Sequence, residues 1–363
     1  MVSAFLTFFK RLFSTEKETP KLLDGLQGIV LTDAIFHNLV AEGKVPGMSV
    51  TIMRNNEMLL QKGYGYADLE QGIPVHPTKT VFRIASISKC ITGLALGKMI
   101  EEQIVDLDAS FYNYVPYYPK KKYSFTLRQL AGHTAGVRSY RGKEYALNKP
   151  YSIKDSIEVF QGDPLVFEPG KGYLYNSFDF VLLSLGMQEA AGIPFENYVK
   201  EKVLKPLGMK NTFVPPMDNN SNGVKNLAQC YTKITTGFKK AIPVNNFYKV
   251  AGGGFLSSSE NIARMGQAIL QGKLLKKETY NLLLTSQTVN GKPTYYGLGF
   301  QVSEDAKGRK FMGHVGNSVG AYTNFFIYPK EQLVVVVLIN STDPKVQEEL
   351  DRAIDALLDL PSS

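Results

Sequence analysis

The sequence predicts an α/β protein of the α+β type: one antiparallel sheet flanked by terminal helices, with an inserted, mostly helical domain. Three observations predict it. Strand patterns lie at both ends of the chain, helical patterns fill the middle, and an amphipathic helical pattern sits near each end. Strands from the two ends can then pair into one sheet, with the middle as an insertion.

Element by element, residues 22–45 carry apolar residues at helical intervals and stop at Gly43, ahead of Pro46. MSVTIMR (48–54) and MLLQKGYGYA (58–67) read as a hairpin turning at Asn55 and Asn56. From Ile87 to Ile100 the pattern is helical. Helices are predicted over 126–133, 152–161, 178–192 and 195–209, punctuated by Pro169-Gly170 and Pro206. A further helix follows Gly252-Gly253-Gly254, over 258–270. Strand patterns return at 296–303, 321–329 and 332–340, and an amphipathic helix over 346–360 closes the chain. The expected organisation is an N-terminal segment and linker (1–20), a sheet domain (21–108 plus 241–363) and a helical domain (109–240). The active site is expected between the two domains.

With 363 residues, 44% hydrophobic and 20% charged, the chain can bury a sizeable core. Its net charge of +8 is spread along the chain, and the densest cluster, Lys120 to Lys122, is short. That reads as a solvated loop, so no nucleic-acid partner is expected. Two cysteines, Cys90 and Cys230, are too few for a disulfide framework or a thiolate metal site. Four scattered histidines match no ligand spacing. No metal and no cofactor is expected.

The first fifteen residues, MVSAFLTFFKRLFST, hold no acid and place Phe5, Phe8, Phe9, Leu12 and Phe13 at helical spacing. A secretory signal puts its positive charge ahead of the apolar stretch, and here the order is reversed. Four readings fit: a helix in contact with a membrane surface, a mitochondrial-type presequence, the remnant of a shortened signal, or a helix packed on the domain.

The chemistry-bearing stretch is FRIASISKC (82–90). In Ser86-x-x-Lys89 the lysine lies one helical turn after the serine, on the same face, if the helix starts near Ser86. A serine hydroxyl needs a nearby base, and a lysine serves when burial or a neighbouring cation lowers its pKa. A helix N-terminus favours a developing alkoxide. Ser88, two residues on, points elsewhere and reads as a supporting residue. A second element, EPGKGYLYNSFDFVLL (168–183), sets Tyr175 just before a helix, where it can move a proton if cations lower its pKa from about 10. A third, GHVGNSVGAY (313–322), lies between strand patterns. Gly316 allows close backbone approach to a ligand. On an edge strand facing the serine, the amides of Asn317 and Ser86 would form an oxyanion hole. His314 would supply a hydrogen bond or a positive charge.

Taken together, Ser86-x-x-Lys89, the Tyr175 loop and His314-Val315-Gly316 resemble the penicillin-recognising serine hydrolases in their order along the chain. That group includes class C β-lactamases, D-Ala-D-Ala carboxypeptidases and related esterases. VPGMSV (45–50), GYGYAD (63–68), QLAGHTAGV (129–137), FEPGKGYLY (167–175), PLGMKNT (206–212) and AGGGFLSS (251–258) extend the resemblance over residues 30–340 or so. FRIASISK, HTAGVRSY and AGGGFLS look closest to LACTB-type hydrolases and their bacterial relatives. The resemblance implies a β-lactamase/transpeptidase-like fold with Ser86 acylated and Lys89 assisting its deprotonation. Tyr175 would carry the proton to the leaving group and later activate water. The Ser86 and Asn317 amides would bind the oxyanion, and His314 would stand where K-T-G or H-T-G begins.

Two departures stand out. The family's Y-x-N is Tyr175-Asn176-Ser177, so the amide that grips a substrate carbonyl is missing, or Asn176 takes another role beside Ser177. K-T-G is H-V-G, which removes a cation and a hydroxyl. Both weaken the case for efficient β-lactam hydrolysis, which needs donors for the antibiotic's carboxylate. His133 and Thr134 read as structural. Arg138, Tyr140 and Arg141 are candidates for an acidic substrate end. The expected function is a serine hydrolase acting on a small-molecule or peptide substrate, through an amide, peptide or ester bond. The alternatives are a penicillin-binding carboxypeptidase or weak β-lactamase, and a catalytically idle scaffold or filament. A homo-oligomer stays open. Localisation is undetermined: envelope or membrane-associated if the chain is bacterial, mitochondrial if eukaryotic.

Overall fold

The computed structural model describes residues 19–218 and 223–359. Residues 1–15 therefore lie outside the described residues. A seven-stranded antiparallel sheet organises the chain, built from β1 (Gly47–Arg54), β2 (Glu57–Asp68), β3 (Ile73–Pro74), β4 (Gln301–Glu304), β5 (Lys310–Ser318), β6 (Ala321–Tyr328) and β7 (Leu333–Ile339), in the order β4-β5-β6-β7-β1-β2-β3. Strands from the two ends of the sequence meet at the centre, where β1 pairs with β7 from Met48↔Ile339 to Arg54↔Leu333. The β1–β2 turn uses Asn55 and Asn56 at φ 52° and 68°, the left-handed pair that a two-residue hairpin turn demands.

β7 explains its own unbroken apolar run. Val335, Val337 and Ile339 pack on α1 (Gly28–Ala41) and α6 (Gln347–Leu358), the two terminal helices. Val334, Val336 and Leu338 enter the second core with α5 (Ser259–Leu270). Alternate side chains leave opposite faces of a strand, so a strand buried on both faces shows no polar alternation. α1 and α6 touch closely, with the Thr32 hydroxyl donating to the Ala353 carbonyl at 2.8 Å. Against α5, a Cβ on Gly266 would lie 2.6 Å from Val334, so glycine lets that helix sit down on the sheet.

The helix α2 (Ser88–Glu101) is buried on all sides from Ser88 to Gly97, as expected of a helix that is apolar around its circumference. It carries the site into the middle of the molecule. Further along come α3 (Leu127–Ala131) and α4 (Phe178–Ala191), the latter closed by Gly192 at φ 67°. One small sheet departs from the expected helical middle: Tyr231–Ile234 and Gly237–Lys240 form a hairpin, and Ser341–Thr342 pairs parallel with its first strand. The predicted strand over 296–303 is shorter, with only Gln301–Glu304 extended. Tyr295 and Gly299 take φ 57° and 90°, which breaks the run.

Candidate active site

Ser86 sits in a single 3-10 turn, Ala85–Ile87, immediately before α2 rather than inside it. The turn is held from below by the helix it feeds. Ser88 Oγ accepts from the Phe255 amide at 3.2 Å, and Thr92 Oγ1 donates to the Ala251 carbonyl at 2.8 Å. Lys89 Nζ donates to the Gly252 carbonyl at 2.7 Å. Lys89 and Thr92 thus clamp the Gly-rich turn Val250–Gly254, and Ser88 holds Phe255 just beyond it. A Cβ on Gly254 would lie 2.2 Å from the Asn246 carbonyl, so that position requires glycine. Ala85 holds φ 47°, a backbone state that costs a non-glycine residue of order 1 kcal/mol and clusters at functional sites.

Two groups converge on Ser86 Oγ. The Tyr175 hydroxyl donates to it at 2.7 Å, and Lys89 Nζ lies 3.3 Å away. Lys89 is fully buried. Burial lowers its pKa to about 7, with Lys249 adding to the fall and Asp179 opposing it. A half-neutral amine at neutral pH is what a general base requires. Lys89 also faces the Tyr175 ring, 4.7 Å from its centroid.

Tyr175 differs from the sequence expectation. Burial of its hydroxyl end pushes the phenol above its usual range, only partly offset by the Ser86 bond. The residue as a whole stays 37% exposed. No neighbouring cation offsets the burial, so the phenol keeps its proton. Its loop is pinned by the Leu174 amide donating to His133 O at 3.0 Å and the Gly170 amide to Thr134 O at 2.8 Å. The His133 ring packs edge-on to Tyr175 at 4.6 Å, while His133 Nδ1 meets Asp179 Oδ2 at 2.9 Å, His133 and Asp179 both buried. Burial, then the charge of Lys89, keeps that imidazole neutral.

The third element is β5. A Cβ on Gly316 would lie 2.9 Å from Ala85 Cβ and 3.0 Å from the Ile84 carbonyl, so only glycine lets the strand press on the Ser86 turn. β5 is not the outermost strand: β4 pairs with Lys310–Gly313, leaving the outer edge beyond uncovered by strand. The Val315 amide leaves that edge for Gln301 Oε1 at 3.0 Å. Alternation then directs the Asn317 amide off the same edge.

His314 is no cation. It is 1% exposed. Burial, then the charge of Lys89, lowers its pKa to about 3. Its Nδ1–H donates to the Val315 carbonyl at 2.6 Å, and Nε2 accepts from the Tyr296 hydroxyl at 3.0 Å. Asn176 turns away from Ser86. Its Nδ2 donates to Asp179 Oδ2 at 2.7 Å and to the Leu174 and Val137 carbonyls, and its Oδ1 accepts from the Asp179 amide at 2.8 Å. It caps α4 and offers nothing to a ligand. Ser177 stays near the site, where a Cβ on Gly252 would lie 3.6 Å from its own Cβ. Arg138 and Arg141 are spent on Glu144 and Asp163. Cys90 is buried, and burial pushes its thiol up. Lys249, Tyr296, Asp179 and Gln301 carry no signal in the sequence: no spacing marks them, and only the fold brings them to the site.

Among the described residues no group of three or more His, Cys, Asp or Glu could hold a metal ion, and no helix is long and apolar enough to cross a membrane.

A fold of this shape, with a serine at the head of a buried helix and a glycine-bearing strand beside it, defines a class of proteins. A model of the beta-lactamase family matches residues 32–359, and the chain belongs to that family. It is 27% identical over 408 residues to the human serine beta-lactamase-like protein LACTB, mitochondrial, covering 86% of this chain and 74% of that protein. Among solved structures, the octameric penicillin-binding protein homologue from Pyrococcus abyssi is similar at TM-score 0.76 and 26% identity, over 89% of this chain and 76% of that one. D-amino acid amidase from Ochrobactrum anthropi SV3 shares the fold at TM-score 0.79 and 20% identity, over 91% and 98% of the two chains.

Proposed function

We propose that the protein is a serine hydrolase that forms an acyl-enzyme on Ser86 with an amide, peptide or ester substrate. One observation carries the reading: Tyr175 Oη and Lys89 Nζ meet at a single serine oxygen, at 2.7 and 3.3 Å. Neutral Lys89 takes the hydroxyl proton as Oγ bonds to the substrate carbonyl carbon. The resulting oxyanion is received by the amides of Ser86 and Asn317. Tyr175 gives its proton to the departing nitrogen or oxygen, and the Lys89 ammonium restores it. In the second half, water attacks the ester carbon, Lys89 takes the water's proton, and the proton returns to Ser86 Oγ. Ser86 is left acylated by the first half and freed by the second, so the full cycle ends with the residues as they began.

The groups come from both parts of the expected domain division: Ser86, Lys89 and Asn317 from the sheet part, Tyr175 from the helical part. The beta-lactamase family membership and the fold shared with an amidase agree with acyl transfer. The neutral, internally bonded His314 gives no cation for a β-lactam carboxylate, so amides and esters are favoured over antibiotics.

The test is intact-protein mass spectrometry after incubation with an alkyl fluorophosphonate, followed by peptide mapping. A single adduct on Ser86 in the wild type, absent in Ser86→Ala, is expected. Equal labelling of the two proteins, or no adduct on folded wild type, would sink the proposal. Penicillin in a parallel incubation ranks the antibiotic-binding alternative, which requires an adduct on the same serine.

A further inference from the structure

The edge of β5 beside Ser86 is closed on either side of one residue. Outward-facing backbone groups recur at every second residue of a strand, here Val315 and Asn317; β5 ends at Ser318, and Val319 opens the turn into β6. The Val315 amide is taken by Gln301 Oε1 and its carbonyl by His314 Nδ1. The Val319 carbonyl accepts from Arg83 Nη1 at 2.9 Å. Before Val315, β4 covers the edge directly through Gln301↔Gly313 to Glu304↔Lys310. That leaves Asn317, exposed between the caps, as the position where a substrate backbone can add.

An extended polypeptide that adds to a strand edge gains a hydrogen-bonded rung at every second residue of the edge. Here a second rung at Val315 must displace Gln301 from a bond of equal kind. In the other direction the edge ends at Ser318, where Arg83 holds the carbonyl of the turn residue Val319. Exchanging one hydrogen bond for another yields little net free energy. We infer, building on the hydrolase reading, that this edge selects short substrates: one amide or ester unit with at most a single residue beside it, with Gln301 setting the limit on one side and the turn at Val319 on the other. The chemical class is then amino-acid amides, acylated amino acids and small esters, and long peptides gain nothing from their length.

The test uses the full chain and a series of peptidyl phosphonate inactivators with one, two and three residues, in L and D forms. A simple alkyl fluorophosphonate serves as the length-independent reference. The second-order rate of Ser86 labelling is read by mass spectrometry. In the wild type the rate stays flat or falls as residues are added. In Gln301→Ala the ratio of the three-residue rate to the alkyl rate rises about tenfold, the worth of one rung. Gln301→Ser is the second variant, should the first lose solubility. A wild-type rate that climbs with length overturns the inference, as does a length profile unmoved in both variants. Alkyl labelling of Ser86 with either of those profiles leaves the hydrolase reading standing. Absence of any labelling overturns both.

Discussion

The face of the sheet under α1 and α6 and the region around Ser86 are built from opposite materials. The first is mainly apolar: Ile35, Phe36, Leu39, Val335, Val337, Ile339, Leu350, Ile354 and Leu357 share one core, and its few buried polar groups, such as Thr32 and Asn324, are uncharged and hydrogen-bonded. The second buries Lys89, Lys249, His133, Asp179 and His314, none more than 7% exposed. Burying apolar surface stabilises a fold, whereas burying an ionisable group costs several kcal/mol unless it is paired or neutral. The difference separates what holds this molecule together from what it is held together for. The sheet supplies the stability, and the site spends some of it to keep a lysine near neutrality and two imidazoles uncharged.

Four experiments break or sharpen that contrast. The largest effect is expected from Tyr175→Phe, which keeps the ring packing and removes the hydroxyl: turnover falls by about 10²–10⁴-fold while the melting temperature hardly moves. An unchanged rate would take Tyr175 out of the mechanism. Next, Ile339→Ala on the apolar face costs roughly 2–5 kcal/mol in denaturant unfolding, with labelling of the remaining folded protein intact. A loss below that range would mean that this core repacks around the gap.

The third is a pH profile. Lys89 must be neutral to act, and its pKa is lowered from 10.5 to about 7. Labelling of Ser86 is therefore expected to be level above that value and to fall about tenfold per unit below it. A flat profile on the acid side would exclude Lys89 as the base. The smallest effect is a gain in stability. The unfolded chain binds more protons than the folded one between the two pKa values, so unfolding free energy rises with pH across that window and is lowest below it. Lys89→Met removes this burden, at the loss of the donor to Gly252. It is expected to stabilise by roughly 1–2 kcal/mol at slightly acid pH, less as the pH approaches 10, while abolishing activity. Destabilisation at acid pH would show that the bond to Gly252 outweighs the buried charge.

The same contrast explains what could be read from the sequence. The runs 48–54, 58–67 and 332–340 follow from the apolar pattern alone, and so do the helices over 258–270 and 346–360, because burial imposes that pattern. The Tyr231–Lys240 hairpin was not legible: its polar, half-exposed residues show no core-facing periodicity. β5 lies between strand patterns and shows none of its own; the motif His314-Val315-Gly316, not the composition, marks it as the strand facing the serine. Within the site, Ser86 and Lys89 stand one turn apart in the chain and so announce themselves. The burial that raises the Tyr175 phenol and the bonds that occupy Asn176 and His314 come from residues far off in sequence, and no local pattern encodes them.

The pairing of β1 with β7 also dictates an order of events during synthesis. The serine turn leaves the ribosome more than 200 residues before β5, the strand that presses on it, and before β7, which anchors the centre of the sheet. Contacts of such separation in sequence form late and slowly. A nascent or truncated chain carries the nucleophile without the strand that would hold its oxyanion. If Ser86 acts as proposed, its reactivity is thus withheld until β5 and β7 have been made, and its appearance would report that the sheet has closed.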